Sequence, residues 1–378
     1  MKKKYLIVCA SLFLIASLII VSFLILQNNK VNSVSNGGVP SAFVGVDVAY
    51  NNIVDTEKLV DQVSSYANLI IIGSTGITYT SQFNDACQYI YSKGLYFILY
   101  TELAPSQLWL QTALNKWGDH FLGIYVFDEI GGKQIDRAQD LMVVPQASNY
   151  TSAANQYVNQ LNHSLSGITV NYKSVNLTRF SSDYALYWFD FKAGYNTVFV
   201  EFGWNYSRQL NVALCRGAAE SQNKTWGVMI TYTYTNPPYI ESASDLYNDM
   251  IYAYNNGAKY IVVFDSNPNY TQGILDQNHL NVIKQFCQYM NDNPRTSMQA
   301  GPDTAYILPQ DYGFGGPNDR IWGLWQPDNL TATIFIQLNS LMQQYGNNLN
   351  VVYDDSKINY TSQYNKLIFW NGTTVSSG

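Results

Sequence analysis

The sequence predicts an α/β fold, a closed (β/α)8 TIM barrel followed by a small C-terminal α/β domain, and three observations carry that expectation. Eight β-rich runs alternate with segments of helical spacing. The runs are apolar almost without interruption, as expected of parallel strands covered on their outer face. No Gly-x-Gly-x-x-Gly turn follows the first run, so a doubly wound dinucleotide sheet lacks its fingerprint, and eight units favour closure.

Three lysines, Lys2 to Lys4, precede an unbroken apolar run from Tyr5 to Leu26. The run is long enough to span a bilayer, so residues 1–26 read as a transmembrane signal anchor. The lysines place the N-terminus in the cytoplasm and the rest outside, in a single-pass cell-membrane protein. Removal of the run as a cleaved signal, with secretion, is the alternative. Residues 27–42 form a polar linker rich in Gly, Ser and Asn.

The barrel is expected over residues 43–293. The first strand is "FVGVDVAY" (Phe43 to Tyr50), and a helix follows from Asp55 to Ala67. "NLIIIGST" (Asn68 to Thr75) is the second strand, Ser81 to Gly94 a helix, and "LYFILYTE" (Leu95 to Glu102) the third strand. A helix from Ser106 to Phe121 leads to strand four, "GIYVFDEIGG" (Gly123 to Gly132). Between Gln134 and Arg179 a long helical segment precedes a weakly marked fifth strand near Asn176 to Ser182, then a helix from Asp183 to Ala193. Strand six is "TVFVEFGW" (Thr197 to Trp204), with a helix from Ser207 to Gln222; strand seven is "TWGVMITYTY" (Thr225 to Tyr234), with a helix from Ser242 to Asn256. Strand eight is "KYIVVFDSN" (Lys259 to Asn267), and a helix from Leu275 to Asp292 closes the barrel. Residues 303–378 suggest a three-stranded α/β domain around a helix from Ala332 to Tyr345.

Charged residues make up only 13% of the chain and aromatics 15%, with 31 Tyr, so its surface must be largely neutral and polar, compatible with sugars. Net charge is -6 and the basic residues are scattered, which excludes a nucleic-acid footprint. His120, His163 and His279 lie far apart, and no cofactor or metal site is expected. Cys87, Cys215 and Cys287 fall in expected helices and read as small buried hydrophobes rather than a disulfide framework. Asn-x-Ser/Thr triplets at Asn149, Asn162, Asn176, Asn205, Asn223, Asn269, Asn329, Asn359 and Asn371 suit an exported chain that carries N-glycans.

Strand four raises the functional question, because an apolar run ends on two adjacent acids, Asp128 and Glu129. In a barrel the C-terminal strand ends share one face. Acids recur there: Asp47 on strand one, Glu102 on three, Asp183 on five, Glu201 on six and Asp265 on eight, with Trp204, Tyr232 and Tyr234 beside them. Two carboxyl groups can cleave a glycosidic bond, one protonating the leaving oxygen while the other attacks or activates water, and aromatic faces stack on sugar rings. Glu129, its proton held by the Asp128 charge, is the expected general acid, and Glu201 the second carboxylate. The other eight residues are expected substrate contacts. Structural alternatives stand beside each: Asp128 and Glu129 as helix caps, Glu201 as a core acid paired with Arg208 or Arg216.

The stretches "GIYVFDEIGGKQID", "SSDYALYWFDFKAGYNTVFVEFGWNYSRQLNVALCRGAAES", "WGVMITYTYTNPPYIES" and "GAKYIVVFD" resemble (β/α)8 glycoside hydrolases of the clan A type, and in particular archaeal membrane-anchored members. "YILPQDYGFGG" and "RIWGLWQPD" resemble the start of the glutamine-amidotransferase-like domain that follows the barrel in family-42 β-galactosidases. The resemblance implies an Asn-Glu pair on strand four and a nucleophilic Glu on strand seven. Glu129 fits the first, but Asp128 stands where Asn is expected and "TWGVMITYTY" carries no acid. The second carboxylate then comes from Glu201 or from the substrate, or the protein binds glycans without cutting them. Carboxyls within about 5–9.5 Å of each other across an open cleft would favour hydrolysis.

Overall fold

Eight parallel strands pair in sequence order, and the eighth returns to the first. They are β1 (Phe43–Val48), β2 (Leu69–Ile72), β3 (Tyr96–Tyr100), β4 (Phe121–Tyr125), β5 (Thr178–Asp183), β6 (Thr197–Phe202), β7 (Thr225–Ile230) and β8 (Tyr260–Asp265). This computed structural model describes residues 40–103, 105–138, 141–169, 177–295, 301–316 and 320–376. The apolar run from Tyr5 to Leu26, most of the linker and the triplet at Asn176 lie outside the described residues. Among the described residues no helix is long and apolar enough to cross a membrane.

Strand parity sorts the core into two parts. Val44, Val46 and Val48 of β1 face outward into the layer shared with the helices, while Phe43 packs inside the barrel with Leu69, Phe180, Phe199 and Tyr260. The Phe43 and Tyr260 rings stack at 4.9 Å and seal the N-terminal end of the lumen.

The outer helices begin where short polar side chains cap them. Asn52 accepts from the Val54 and Asp55 amides, so α1 (Ile53–Val63) starts two residues before the Asp55 that the sequence suggests. Ser74 caps the short α2 (Thr75–Thr78), and α3 (Phe83–Ser92) and α4 (Gln107–Trp117) follow. The β4–β5 excursion holds α5 (Ile130–Ile135) and α6 (Tyr150–Thr169). Beyond β5 come α7 (Tyr187–Ala193), α8 (Arg208–Ser221), α9 (Ala243–Asn255) and α10 (Gln277–Asp292), the last three capped by Ser207, Ser242 and Asp276. Several strands end earlier than their apolar runs suggest: pairing of β6 with β7 stops at Phe202 and Ile230, releasing 231–239 as a loop. Cys87, Cys215 and Cys287 are buried and unbonded.

The C-terminal sheet has the order β10-β9-β11-β12, with β9 (Thr304–Leu308), β10 (Leu349–Tyr353), β11 (Lys366–Phe369) and β12 (Thr374–Ser376), and α11 (Asn329–Tyr345) connects β9 to β10. It has four strands rather than the expected three, because β12, an exposed polar segment without an apolar signal, pairs antiparallel with β11. The sheet docks on α8. A Cβ at Gly217 would stand 2.6 Å from the Val351 carbonyl oxygen, so glycine is what permits that approach. The fully buried Trp322 packs 4.4 Å from Phe189, and the Gln134 amide donates to the Trp322 carbonyl at 2.9 Å.

Candidate active site

Inward parity carries acids at the C-terminal strand ends, Asp47 two residues after Gly45 and Glu201 two after Phe199, with Ser182 two after Phe180. These three line a cavity of about 390 Å³ together with Tyr100, Tyr125, Met229, Tyr232 and Phe264 from the barrel wall, and Glu102, Asp128, Glu129 and Tyr270 from the loops above it.

A polar network joins the acids. The Tyr125 hydroxyl donates to Asp128 and lies 2.8 Å from Ser182 Oγ, which is itself 2.7 Å from Asp128 Oδ1 and 2.7 Å from Glu201 Oε1. Two hydroxyls bring two hydrogens to these four contacts, so a proton on Glu201 helps to satisfy them. Electrostatics agrees. Burial, then the charges of Glu129 and Asp128, hold the Glu201 carboxyl well above the usual range. Burial, then Asp128, also raises Glu129, against the pull of Lys133, whose Nζ lies 3.3 Å from Glu129 Oε2. Glu129 and Glu201 interact electrostatically, the Glu129 charge raising Glu201, so their titrations are linked.

The loop presenting this pair is strained and tied down. Phe127 and Glu129 both have φ of 56°, the left-handed region that costs a non-glycine residue about 1–2 kcal/mol. The Glu129 amide bonds the Ser182 carbonyl at 3.0 Å, and the Gly131 and Gly132 amides donate to Asp183 at 2.5 and 2.7 Å. Asp183 also accepts from Tyr184 and Ala185, at 2.8 and 3.0 Å. Burial pushes Asp183 up to about 7 despite these four donors. Asp190, raised further by burial and by the Asp183 charge, carries the proton of that pair. Asp183→Asn would turn an NH2 toward backbone donors, and a loss of at least about 2 kcal/mol is expected. Urea unfolding should show a lower midpoint at unchanged m, with faster hydrogen exchange at the Gly131 and Gly132 amides.

Of the residues singled out in the sequence, Asp47, Glu102, Asp128, Glu129, Glu201 and Tyr232 line the cavity, and four do not. Asp183 and Asp265 have outward parity. Asp265 is buried and its Oδ1 accepts from the Ile274 and Leu275 amides at 2.5 and 2.9 Å, holding the β8–α10 loop. Trp204 sits outside on a loop clamped by Arg208, whose Nη1 donates to Gly203 and Tyr206 carbonyls at 2.9 and 3.1 Å. Tyr234 is half exposed on the released loop after β7.

The structural alternatives for the acids resolve in the same way. Glu129 occupies the cap position of α5 without a side-chain cap bond. Arg208 engages Asp249 and Glu241 at 3.0 and 3.3 Å, and Arg216 bonds oxygens of Asn350, Asn256, Asn347 and Leu349, so neither pairs with Glu201. The sequence reading missed Tyr100, Tyr125, Ser182, Phe264, Tyr270 and Lys133. Counting by twos from an inward aromatic finds Tyr100, Ser182 and Phe264, but not Tyr125, because Leu122 also faces inward and the β3–β4 register shifts. Among the described residues no three His, Cys, Asp or Glu side chains form a metal site.

Because the Asp128 charge is the second cause of the raised Glu129 pKa, Asp128→Asn should lower it while burial keeps it above an ordinary carboxylate. In any reaction that needs the Glu129 proton, the alkaline limb of the pH–rate profile should move to lower pH. A limb that stays in place would show that Asp128 does not tune Glu129.

No protein-family model matches the chain, and no curated protein matches its sequence. Among solved structures, α-L-fucosidase isoenzyme 2 from Paenibacillus thiaminolyticus aligns with a TM-score of 0.55 at 11% identity, over 86% of this chain and 60% of that one. This chain thus spans about 60% of the fucosidase's length. A GH99 endo-α-mannosidase from Bacteroides thetaiotaomicron aligns with a TM-score of 0.43 at 9% identity, over 68% of this chain and 98% of that one. A 3-hexulose-6-phosphate synthase gives 0.37 at 10%, over 65% and 98%. What the chain shares with the fucosidase is its fold, a closed (β/α)8 barrel.

Proposed function

We propose that this chain is an extracellular, membrane-anchored glycoside hydrolase, with Glu129 as acid/base and Glu201 as nucleophile or base. The observation that carries this reading is that two electrostatically linked glutamates line one cavity of about 390 Å³ with aromatic walls, neither engaged by an arginine. Retaining enzymes hold the two carboxyls about 5–5.5 Å apart and inverting ones about 6.5–9.5 Å. The three lysines and the apolar run behind them support the anchor and the outward orientation. The triplets at Asn205, Asn223, Asn269, Asn329, Asn359 and Asn371 are exposed and open to N-glycans. The resemblances to archaeal membrane-anchored members and to an amidotransferase-like C-terminal domain belong to the same reading.

A second reading, a cell-surface glycan-binding or structural protein without catalysis, draws on β7, which presents no acid. Incubating the full-length chain with a glycan panel and following new reducing ends separates the two. Cleavage by wild type but not by the Glu129→Gln/Glu201→Gln double variant supports the hydrolase. Equal cleavage by both sinks the assignment of these residues, and retained binding without cleavage favours the second reading.

A further inference from the structure

Aromatic side chains are almost all covered in this protein. Among the described residues only four are exposed, Tyr79, Trp204, Tyr234 and Tyr270, at 48%, 37%, 49% and 50%. All four stand on loops at the C-terminal face of the barrel, after β2, β6, β7 and β8. Singly scattered exposed rings would need no explanation, whereas rings gathered around one opening mark a binding surface.

The rings are also held where they are. The Tyr79 hydroxyl accepts from the Glu102 and Leu103 amides at 2.8 and 3.2 Å, which pins the ring to the β3 loop. Trp204 and Tyr270 have φ of 45° and 55°, the left-handed region that a bulky side chain rarely adopts. Backbone bonds maintain both: the Trp204 amide donates to the Tyr232 carbonyl at 2.8 Å, and the Asn51 amide to the Tyr270 carbonyl at 2.9 Å. Strain kept beneath an exposed ring points to a ligand that uses the ring.

The order of the strands specifies the ligand's shape. β2 and β6 lie diametrically across the closed barrel, so Tyr79 and Trp204 occupy opposite lips. The cavity with Glu129 and Glu201 opens between them, and Tyr270 is part of its lining, while Tyr79, Trp204 and Tyr234 lie outside it. A single sugar in the cavity would leave those three rings bare. The C–H face of a pyranose covers an exposed ring while its hydroxyls stay in water. Carboxyl groups line the cavity, so an anionic chain would meet like charge.

We propose that the mouth binds a neutral linear glycan lengthwise, with sugar units on Tyr79 at one lip and on Trp204 and Tyr234 at the other. Bonds inside the chain, rather than its terminal bond, then lie over Glu129 and Glu201. This rests on the carbohydrate reading of the site and narrows its substrate class.

Calorimetric titration of the full-length chain in detergent tests it. The probes are the hexasaccharides and trisaccharides of the cello-, malto-, manno- and xylo- series. At least one hexasaccharide should bind about tenfold or more tightly than its trisaccharide. Tyr79→Ala and Trp204→Ala should each weaken that hexasaccharide about fivefold or more, while Tyr79→Phe and Trp204→Tyr, which keep a ring, should stay within about threefold of wild type. Tyr79→Phe also removes the hydroxyl that the loop amides bond, so a loss there as large as in Tyr79→Ala would assign the effect to the loop and overturn the role of the ring. No hexasaccharide binding, equal binding of long and short chains, or a loss in only one of the two alanine variants would each overturn the proposal as well. Binding is read with or without cleavage, so the two proposals fail separately. A chain that prefers long glycans and cuts nothing loses only the hydrolase reading, whereas one that cuts short glycosides without a length preference loses only this one.

Discussion

Replacing Glu129 with glutamine is expected to lower turnover of a cleavable glycan by about 10²–10⁴-fold, the usual contribution of a positioned general acid. Glu201→Gln should cost at least as much, and the double variant little more than the worse single one, because the two act as a unit. The reason lies in the opposite protonation states that the two roles need. Activity needs one carboxyl protonated and the other ionised, so the rate should fall at low pH, where both are protonated, and at high pH, where neither is. Both groups are raised, so the alkaline limb should lie above the ordinary carboxylate range.

Stability should move the opposite way. A carboxyl whose folded pKa exceeds its unfolded value of about 4.3 destabilises the fold progressively as pH rises from that value to the folded one, by about 1.36 kcal/mol per pH unit. Glu201 is fully buried and raised well above the usual range, so Glu201→Gln should unfold at a higher temperature than wild type near neutrality and at nearly the same temperature near pH 4. Lower activity with higher stability would mark the glutamate as kept for function. A Glu201→Gln variant that is both fully active and less stable at pH 7 would mark it as a structural acid.

Much of this architecture was readable because a barrel strand buried on both faces leaves an uninterrupted apolar run. The order of the eight strands followed from that signal alone. What the run does not encode is where pairing stops. Thr231 to Tyr234 are as β-prone as β7 itself, yet past Phe202 and Ile230 the regular ladder gives way to two bonds, from the Thr231 amide to the Phe202 carbonyl and from the Trp204 amide to the Tyr232 carbonyl. The weakly marked fifth strand has the opposite problem: Thr178, Arg179 and Ser181 are polar, and its neighbours supply the strand's stability. Within the site, acids at strand ends looked equivalent because residue type was counted without parity. Asp183 follows the inward Ser182, and Asp265 the inward Phe264, so both point behind the wall and hold loops. Ser182 was invisible for a related reason, since a serine gains meaning only from the two carboxylates that the fold brings to it.

The attachment of the C-terminal sheet should depend on one side chain far from the cavity. Arg216 on α8 is 3% exposed and donates to Asn350 Oδ1 at 2.8 Å, Asn256 Oδ1 at 3.0 Å, and the carbonyls of Asn347 and Leu349 at 2.8 and 3.0 Å. Burial lowers its pKa, with Glu220 as the nearest compensating charge. Replacing a buried ion pair by apolar side chains can be neutral, because both charges leave together. Here the partners are neutral oxygens that stay behind. Arg216→Met would orphan four acceptors at roughly 1–3 kcal/mol each, so a loss of more than about 3 kcal/mol is expected. Arg216→Lys should recover only part of it, since an ammonium cannot reproduce the planar fork. Urea unfolding with hydrogen exchange at the β10 amides reads both effects. Ligand binding in the cavity should be unchanged where the variant remains folded, because none of these oxygens lines it. An unaltered midpoint in Arg216→Met would mean that apolar packing of Gly217 against Val351 and Val352, rather than the guanidinium, holds the sheet to the barrel.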